Sequence, residues 1–177
     1  NESLLHNISG ACYAGLGQLD AAVKSYEQAL VINPDYAEAY NNLGVTLKNL
    51  GQQQAAVKCF ERAFAIKLDY AEPYNNLGNT LKELGRLNEA EASYRQAIVL
   101  KPDFAEAYHG RGMTFYQNGQ MGLAIEDFRR VTDINPRYGN FNEFPEVTDT
   151  ELKKFVTWDQ KLGWSPKPGL RKIDRND

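Results

Sequence analysis

Carboxamide side chains are the residues of this sequence best suited to bind another molecule. They occur as two adjacent pairs, Asn41-Asn42 and Asn75-Asn76, and the second pair follows the first by 34 positions. A primary amide both donates and accepts hydrogen bonds, so a row of them can hold an extended peptide backbone without reading its side chains. The alternative is that these asparagines are only exposed polar residues, copied when the surrounding segment was duplicated.

The sequence contains no pattern typical of catalysis or of metal binding. His6 and His109 have no HExxH or other ligand spacing, and Cys12 and Cys59 do not form a CxxC pair. The glycine-rich residues 10–17 lack the Lys and Ser or Thr of a phosphate-binding loop. The sequence therefore predicts a protein that is not an enzyme, with no catalytic residues, no metal site and no cofactor.

Charge and hydropathy narrow the range of partners. The composition, with 42% hydrophobic and 24% charged residues, is typical of a soluble globular protein, and the net charge of −3 argues against nucleic acid or an anionic membrane as partner. No apolar run is long enough to span a bilayer. The two cysteines are expected to be small packing residues in a reducing compartment, which favours a cytoplasmic location.

Residue types recur at intervals of 34 positions along most of the chain. The clearest series are Gly10, Gly44, Gly78 and Gly112, and the aromatic residues Tyr26, Phe60, Tyr94 and Phe128. A fixed period of this length indicates stacked structural repeats. We predict four units, at residues 3–36, 37–70, 71–104 and 105–138.

Each unit is predicted to form two helices. Asp35 precedes Glu38 by three positions, a spacing that predicts an Asp N-cap for the first helix, and Gly51 is a natural stop for it. The small Gly44 lies in the first helix and the large Phe60 in the second, so we expect the two backbones to approach closely where the ring fits against the glycine. Leu68 replaces the proline that follows the second helix in other units, so this helix is expected to continue further.

These repeated positions resemble the tetratricopeptide repeat family, and the resemblance covers residues 3–138. It implies an all-α, right-handed superhelical solenoid of four helix-turn-helix repeats, with the first helices of the repeats lining a concave groove. The segment AEAYNNLG, at residues 37–44, is most similar to the bacterial and sugar-transferase-associated branch. Arg111 replaces a leucine and Val131 an alanine in the last unit, as is common in terminal repeats.

Helical geometry places Asn42 and Asn49 on the face opposite Tyr40, which faces the neighbouring helices, and places Asn41 on the flank of that face. Similar asparagines in sugar-transferase-associated repeats hold substrate peptides, so the resemblance implies a peptide-binding groove. The residues predicted to line it are Asn41, Asn42, Asn49, Asn75, Asn76, Asn79, Lys48, Lys82, Glu83, His109 and Tyr116.

The predicted partner is an extended protein or peptide segment that is neutral or basic. Some repeats of this family capture a C-terminal carboxylate with lysine and arginine, but this chain has Glu72 and Glu106 at corresponding places. Both glutamates are also explained by their position in the first helical turn, where the helix dipole favours acidic residues.

After Tyr138 the period stops. We predict a loop and capping helix at residues 139–163, with the helix itself over 149–162, and a mobile tail at 164–177. Self-association is a further hypothesis, either through the array ends, where Leu4 and Ile8 form an apolar strip, or through a basic tail lying in the groove of a neighbouring copy.

Two functions from different classes fit this sequence. The first is a non-catalytic protein-interaction scaffold. The second is a substrate-recruiting arm of a larger glycosyl- or sulfotransferase whose catalytic domain lies outside residues 1–177. The chain begins with Asn1 at a repeat boundary, which we interpret as favouring a fragment.

Overall fold

A computed structural model describes residues 2–135, and the described chain is helical with no strand. The eight helices are α1 (Glu2–Gly15), α2 (Leu19–Ile32), α3 (Ala37–Asn49), α4 (Gln53–Ile66), α5 (Ala71–Glu83), α6 (Leu87–Leu100), α7 (Ala105–Gln117) and α8 (Met121–Ile134). They form four antiparallel pairs stacked in chain order, which confirms the predicted helical solenoid. The predicted capping helix and tail lie outside the described residues.

A glycine in the left-handed region ends the first helix of every pair. Gly51 has φ +78°, and the amide of Gln52 donates to the carbonyl of Leu47 over 2.9 Å while the amide of Gly51 donates to that of Lys48. This pair of hydrogen bonds closes the helix end, and only a residue without Cβ adopts it at no steric cost. The predicted stop at Gly51 is confirmed.

The predicted Asp caps are wrong. Helix α3 begins at Ala37 with Tyr36 as its N-cap residue, and no side chain caps it. Asp35 lies one position further out, and its carboxylate is 3.5 Å from Arg62 in a well exposed ion pair. The spacing predicted the correct helix to within two residues, but the half-buried Tyr36 that follows the Asp takes the cap position.

Helix α4 does not continue past the end seen in the other pairs. It ends at Ile66 and is followed by Lys67 in an extended conformation, although no proline occurs at position 68. Helix α2 ends at Ile32, the corresponding residue 34 positions earlier, before an equally extended Asn33. Both helices end alike with and without proline, so proline is not needed to end α4.

Within each pair, an aromatic ring fills the space that a glycine leaves open. A Cβ added to Gly44 would lie 2.6 Å from the Phe60 ring, and one added to Gly78 would lie 2.7 Å from Tyr94. Such distances are well inside van der Waals contact, so no larger residue fits without displacing the ring. The close approach of the two backbones, predicted from Gly44 and Phe60, is confirmed.

The stack curves with α1, α3, α5 and α7 on its inner side. Each of these helices contacts the next of the four, whereas α2, α4, α6 and α8 do not contact one another in the described part. Neighbouring pairs are therefore closer together on one side than on the other, and the closer side is concave. We call α1, α3, α5 and α7 the inner helices and the surface they present the concave wall.

No helix of residues 2–135 is both long enough and apolar enough to traverse a bilayer.

Candidate functional site: the concave wall

The structure separates the predicted groove residues by exposure. Asn49 and Glu83 are exposed, whereas Asn41 and Asn75 are buried, with 8% and 7% of their surface accessible. The remaining residues are half-buried: Asn42, Lys48, Asn76, Asn79, Lys82, His109 and Tyr116. Asn41 and Asn75 therefore do not line an open groove in this structure, because the neighbouring helices cover them.

At the first junction, between α1 and α3, asparagines connect one repeat to the next. The amide nitrogen of Asn42 donates to Oδ1 of Asn7 over 3.1 Å, and the amide nitrogen of Asn7 donates to the Tyr36 hydroxyl over 3.2 Å. A tyrosine, a buried or half-buried asparagine and an asparagine of the next repeat thus form one hydrogen-bonded group, which we call a junction set.

The second junction, between α3 and α5, repeats this set 34 residues later. Asn76 donates to Oδ1 of Asn41 over 2.9 Å, and Asn41 also interacts with the Tyr70 hydroxyl. Burial, together with Glu38 and Glu72, raises the pKa of Tyr70 to about 12, although the interaction with Asn41 works in the opposite direction. The Tyr70 hydroxyl therefore stays protonated at neutral pH.

These bonds change the interpretation of the doubled asparagines. The amide nitrogens of Asn42 and Asn76 are already bonded within the array, so at these two positions the amides connect adjacent repeats. Sequence spacing alone placed them on the strip opposite Tyr40. It did not show that each lies within reach of an asparagine 35 positions earlier, since that distance depends on how the repeats stack.

The third junction, between α5 and α7, lacks both partners of its asparagine. Asn75 corresponds to Asn41, but Phe104 replaces the tyrosine and Gly110 replaces the asparagine of the next repeat. Oδ1 of Asn75 is the one buried side-chain nitrogen or oxygen in residues 2–135 without a hydrogen-bond partner. An unsatisfied buried polar atom costs about 1–3 kcal/mol.

Tyr94 packs against Gly110 at this junction. A Cβ at position 110 would lie 2.4 Å from its ring, and its hydroxyl donates to Oδ1 of Asn79 over 2.7 Å. The corresponding residues one repeat earlier are Phe60 and Val45, which cannot form this bond. Burial raises the pKa of Tyr94 above its ordinary value, so the hydroxyl is a donor at neutral pH.

The second and third junctions also differ in their charged residues. Lys48 forms a 3.2 Å ion pair with Glu83 across the second junction. Lys82 corresponds to Lys48, but Gln117 stands where a glutamate would complete the pair, and no carboxylate of the described residues lies within ion-pair distance of Lys82. Burial lowers the pKa of Lys82, with Lys48 acting in the same direction and Glu83 against it.

The last repeat contains a buried ion pair that sequence reasoning missed. Nε and Nη2 of Arg111 donate to the two carboxylate oxygens of Asp127, at 2.8 and 2.7 Å. Burial raises the pKa of Asp127 and the hydrogen bonds from Arg111 oppose that rise. The sequence did contain an indication of this pair. Arg111 replaces a leucine, and in the same repeat Asp127 replaces a small residue.

The remaining predictions concern metal binding, the two cysteines and His109. No cluster of residues that could hold a metal ion occurs in the described part of the chain. Cys12 is exposed, so its predicted packing role is wrong, whereas Cys59 is half-buried and its pKa rises to about 11, chiefly through burial. The His109 ring lies 5.9 Å from the Phe128 ring.

Family models match the chain as tetratricopeptide repeats. A model described as TPR repeat matches residues 10–51 and 78–119, and two described as tetratricopeptide repeat match 37–70 and 105–138. Together they cover well over half of the 177 residues. The matches support the repeat family and do not support the sugar-transferase-associated branch.

Solved structures with the same fold include bacterial and plant proteins. A crystal structure of MamA is 26% identical over 80% of this chain and 82% of its own, with a TM-score of 0.72. The Arabidopsis OM64 TPR domain is 25% identical over 66% and 96%, with a TM-score of 0.64. Pseudomonas aeruginosa pilF, at 24% identity over 76% and 62%, has a TM-score of 0.71 and supports the fold alone. No curated protein sequence matches this chain.

Proposed function

Because this chain belongs to the tetratricopeptide repeat family, we propose that it is a non-catalytic scaffold that binds an extended segment of a partner protein along its concave wall. Repeats of this family form protein-interaction scaffolds. The observation that supports the concave wall as the binding surface is the curvature of the stack, which brings polar residues of successive inner helices together on one side.

The accessible part of this wall is polar. Asn49 and Glu83 are exposed near the ends of their helices, and Asn79, Lys82 and Tyr116 are partly accessible. These side chains offer both donors and acceptors, as an extended backbone requires. They, rather than the buried Asn41, are the residues that the concave wall presents to a bound segment.

The charges on the inner helices support a neutral or basic segment. Glu72 and Glu106 are exposed in the first turns of α5 and α7, whereas Glu38 is 3.2 Å from Lys67 and so already paired. A lysine or arginine of the partner near either exposed glutamate gains a favourable interaction, which salt weakens. A substrate-recruiting arm of a larger transferase would bind its substrate along the same wall. This alternative makes the same use of the described residues, and it stays a hypothesis. The cytoplasmic location is likewise a prediction.

A peptide library displayed on phage tests the proposal. We expect wild type to enrich extended sequences, and a concave-wall variant, Asn49→Ala/Lys82→Ala, to bind the enriched peptides about tenfold more weakly, since two polar contacts are lost. The matched control, Gln54→Ala/Lys58→Ala, removes an exposed amide and an exposed lysine from the outer helix α4. It should bind like wild type.

Thermal melting of both variants checks that the array is intact. Enrichment of no peptide by wild type, or equal weakening by the concave-wall and outer-helix variants, would show that the concave wall does not bind extended segments.

Self-association through the array end stays a separate proposal. Leu4 and Ile8 on α1 are 44% and 50% exposed, and apolar side chains exposed in this way promote contact between copies. Light scattering over a dilution series should show mass increasing with concentration. A constant monomer mass would contradict it.

A further inference from the structure

We propose that the third junction is a recognition subsite, in which a carboxamide side chain of the bound segment donates a hydrogen bond to Oδ1 of Asn75. This inference rests on the proposed function and adds a ligand chemistry and a place for it. The ligand group is an asparagine or glutamine side chain, because an asparagine amide fills the equivalent place at the other two junctions.

The first observation is that Oδ1 of Asn75 has no hydrogen-bond partner. Asn41 accepts a hydrogen bond from Asn76, and Asn75 lies in the corresponding position of the next repeat with no donor opposite it. Only 7% of the surface of Asn75 is accessible, so bulk solvent does not satisfy its oxygen. A buried acceptor of this kind is satisfied in folded proteins by a protein group, a bound water or a ligand.

The unpaired ammonium of Lys82 is the second and independent observation. Lys82 follows Asn75 by seven residues on α5, two helical turns, so the two groups lie about 10 Å apart on one face. An extended segment spans this distance with about three residues. The same segment can therefore place a carboxamide at Asn75 and a carbonyl or carboxylate oxygen at Lys82.

Access to Asn75 depends on Tyr94. Its ring lies where a side chain of residue 110 would be, and its hydroxyl is bonded to Asn79. A ligand carboxamide takes the place of the missing asparagine, so Tyr94 has to move from Gly110 for it to enter. The half-buried Asn79 offers an amide to the ligand once the tyrosine hydroxyl has left it.

A double-mutant cycle between protein and peptide tests the subsite. The peptide is the tightest sequence that wild type enriches from the library, compared with the same peptide carrying Leu in place of its Asn or Gln. The protein is wild type or Asn75→Leu, which removes the acceptor and keeps the side-chain volume. We expect a coupling of about threefold to tenfold in Kd between the two changes.

The outcomes separate this inference from the proposed function. Enriched peptides with no Asn or Gln at a fixed position, or losses that simply add in the cycle, would overturn the subsite while peptide binding stood. A result in which wild type enriches nothing would overturn both. Asn41→Leu serves as the matched control, because Asn41 is already bonded to Asn76, and the cycle with this variant should show no coupling.

Discussion

The second and third junctions each join two successive inner helices but differ in how their asparagines are satisfied. At the second, Asn41 is bonded to Asn76 and interacts with Tyr70, and Lys48 is paired with Glu83. At the third, Asn75 has neither partner and Gln117 leaves Lys82 without a carboxylate. The second junction is internally complete, and the third is not.

This difference shows that the helical packing of the repeat does not depend on its polar bonds. The helix pairs themselves retain the glycine contact, with Gly44 against Phe60 in one and Gly78 against Tyr94 in the next. Apolar burial and close backbone approach supply the packing, while the asparagines adjust how tightly one repeat joins the next. A repeat can therefore lose its junction set and still fold.

The largest expected effect lies inside the helix pairs and is the same in the second and third pairs. Gly44→Leu and Gly78→Leu each force a side chain into an aromatic ring, so each should cost about 3 kcal/mol of unfolding free energy. Urea denaturation measures this loss. Gly122→Leu is the matched control, since a Cβ there meets nothing within 4 Å and a helical glycine is replaced by a better helix former. Equal stability of all three variants would contradict the packing account.

Replacing the central asparagine should have opposite effects at the two junctions. Asn41→Leu leaves Asn76 and Tyr70 without their partner and should lower the unfolding free energy by about 1–3 kcal/mol. Asn75→Leu removes an atom that had no partner and should leave stability unchanged or raise it. Urea denaturation of the two variants side by side measures the difference, and losses of the same size would show that Asn75 is satisfied in solution.

Copying the second junction onto the third should recover stability that Gly110→Asn alone loses, because a Cβ at position 110 would lie 2.4 Å from the Tyr94 ring. The variant Asn79→Val/Tyr94→Phe/Phe104→Tyr/Gly110→Asn supplies both partners of Asn75 and removes the tyrosine hydroxyl that Asn79 binds. Relative to Gly110→Asn alone, we expect a gain of about 1 kcal/mol from hydrogen bonding, seen as a higher Tm. The same variant should lose the carboxamide preference. A lower Tm with the preference retained would contradict both expectations.

The smallest expected effect concerns the ion pair. Gln117→Glu places a carboxylate where Lys82 lacks one and should add less than about 1 kcal/mol, as exposed pairs do. Glu83→Gln should remove a similar amount at the second junction. Both changes should shrink in concentrated salt, because screening weakens exposed pairs, and urea denaturation at low and high salt measures this. A salt-independent effect would indicate a cause other than charge.

Much of the fold could be predicted from residue spacing. The 34-residue period, the glycine stops and the small-large pair of Gly44 and Phe60 predicted the helix pairs and their close contact, because each depends on interactions within one repeat. The Asp caps and the longer α4 were predicted wrongly. In both cases the helix boundary differs from the one that local capping and proline preferences favour.

For the candidate site, the sequence by itself determined the inventory: which repeats carry asparagine, tyrosine and lysine, and which carry Gly110, Phe104 and Gln117 instead. Only the tertiary structure decided which of these groups meet. Asn7 and Asn42, or Asn41 and Asn76, are 35 residues apart, and their hydrogen bonds exist because one repeat stacks on the next at a particular distance and angle. The unsatisfied oxygen of Asn75 is visible only once that stacking is known.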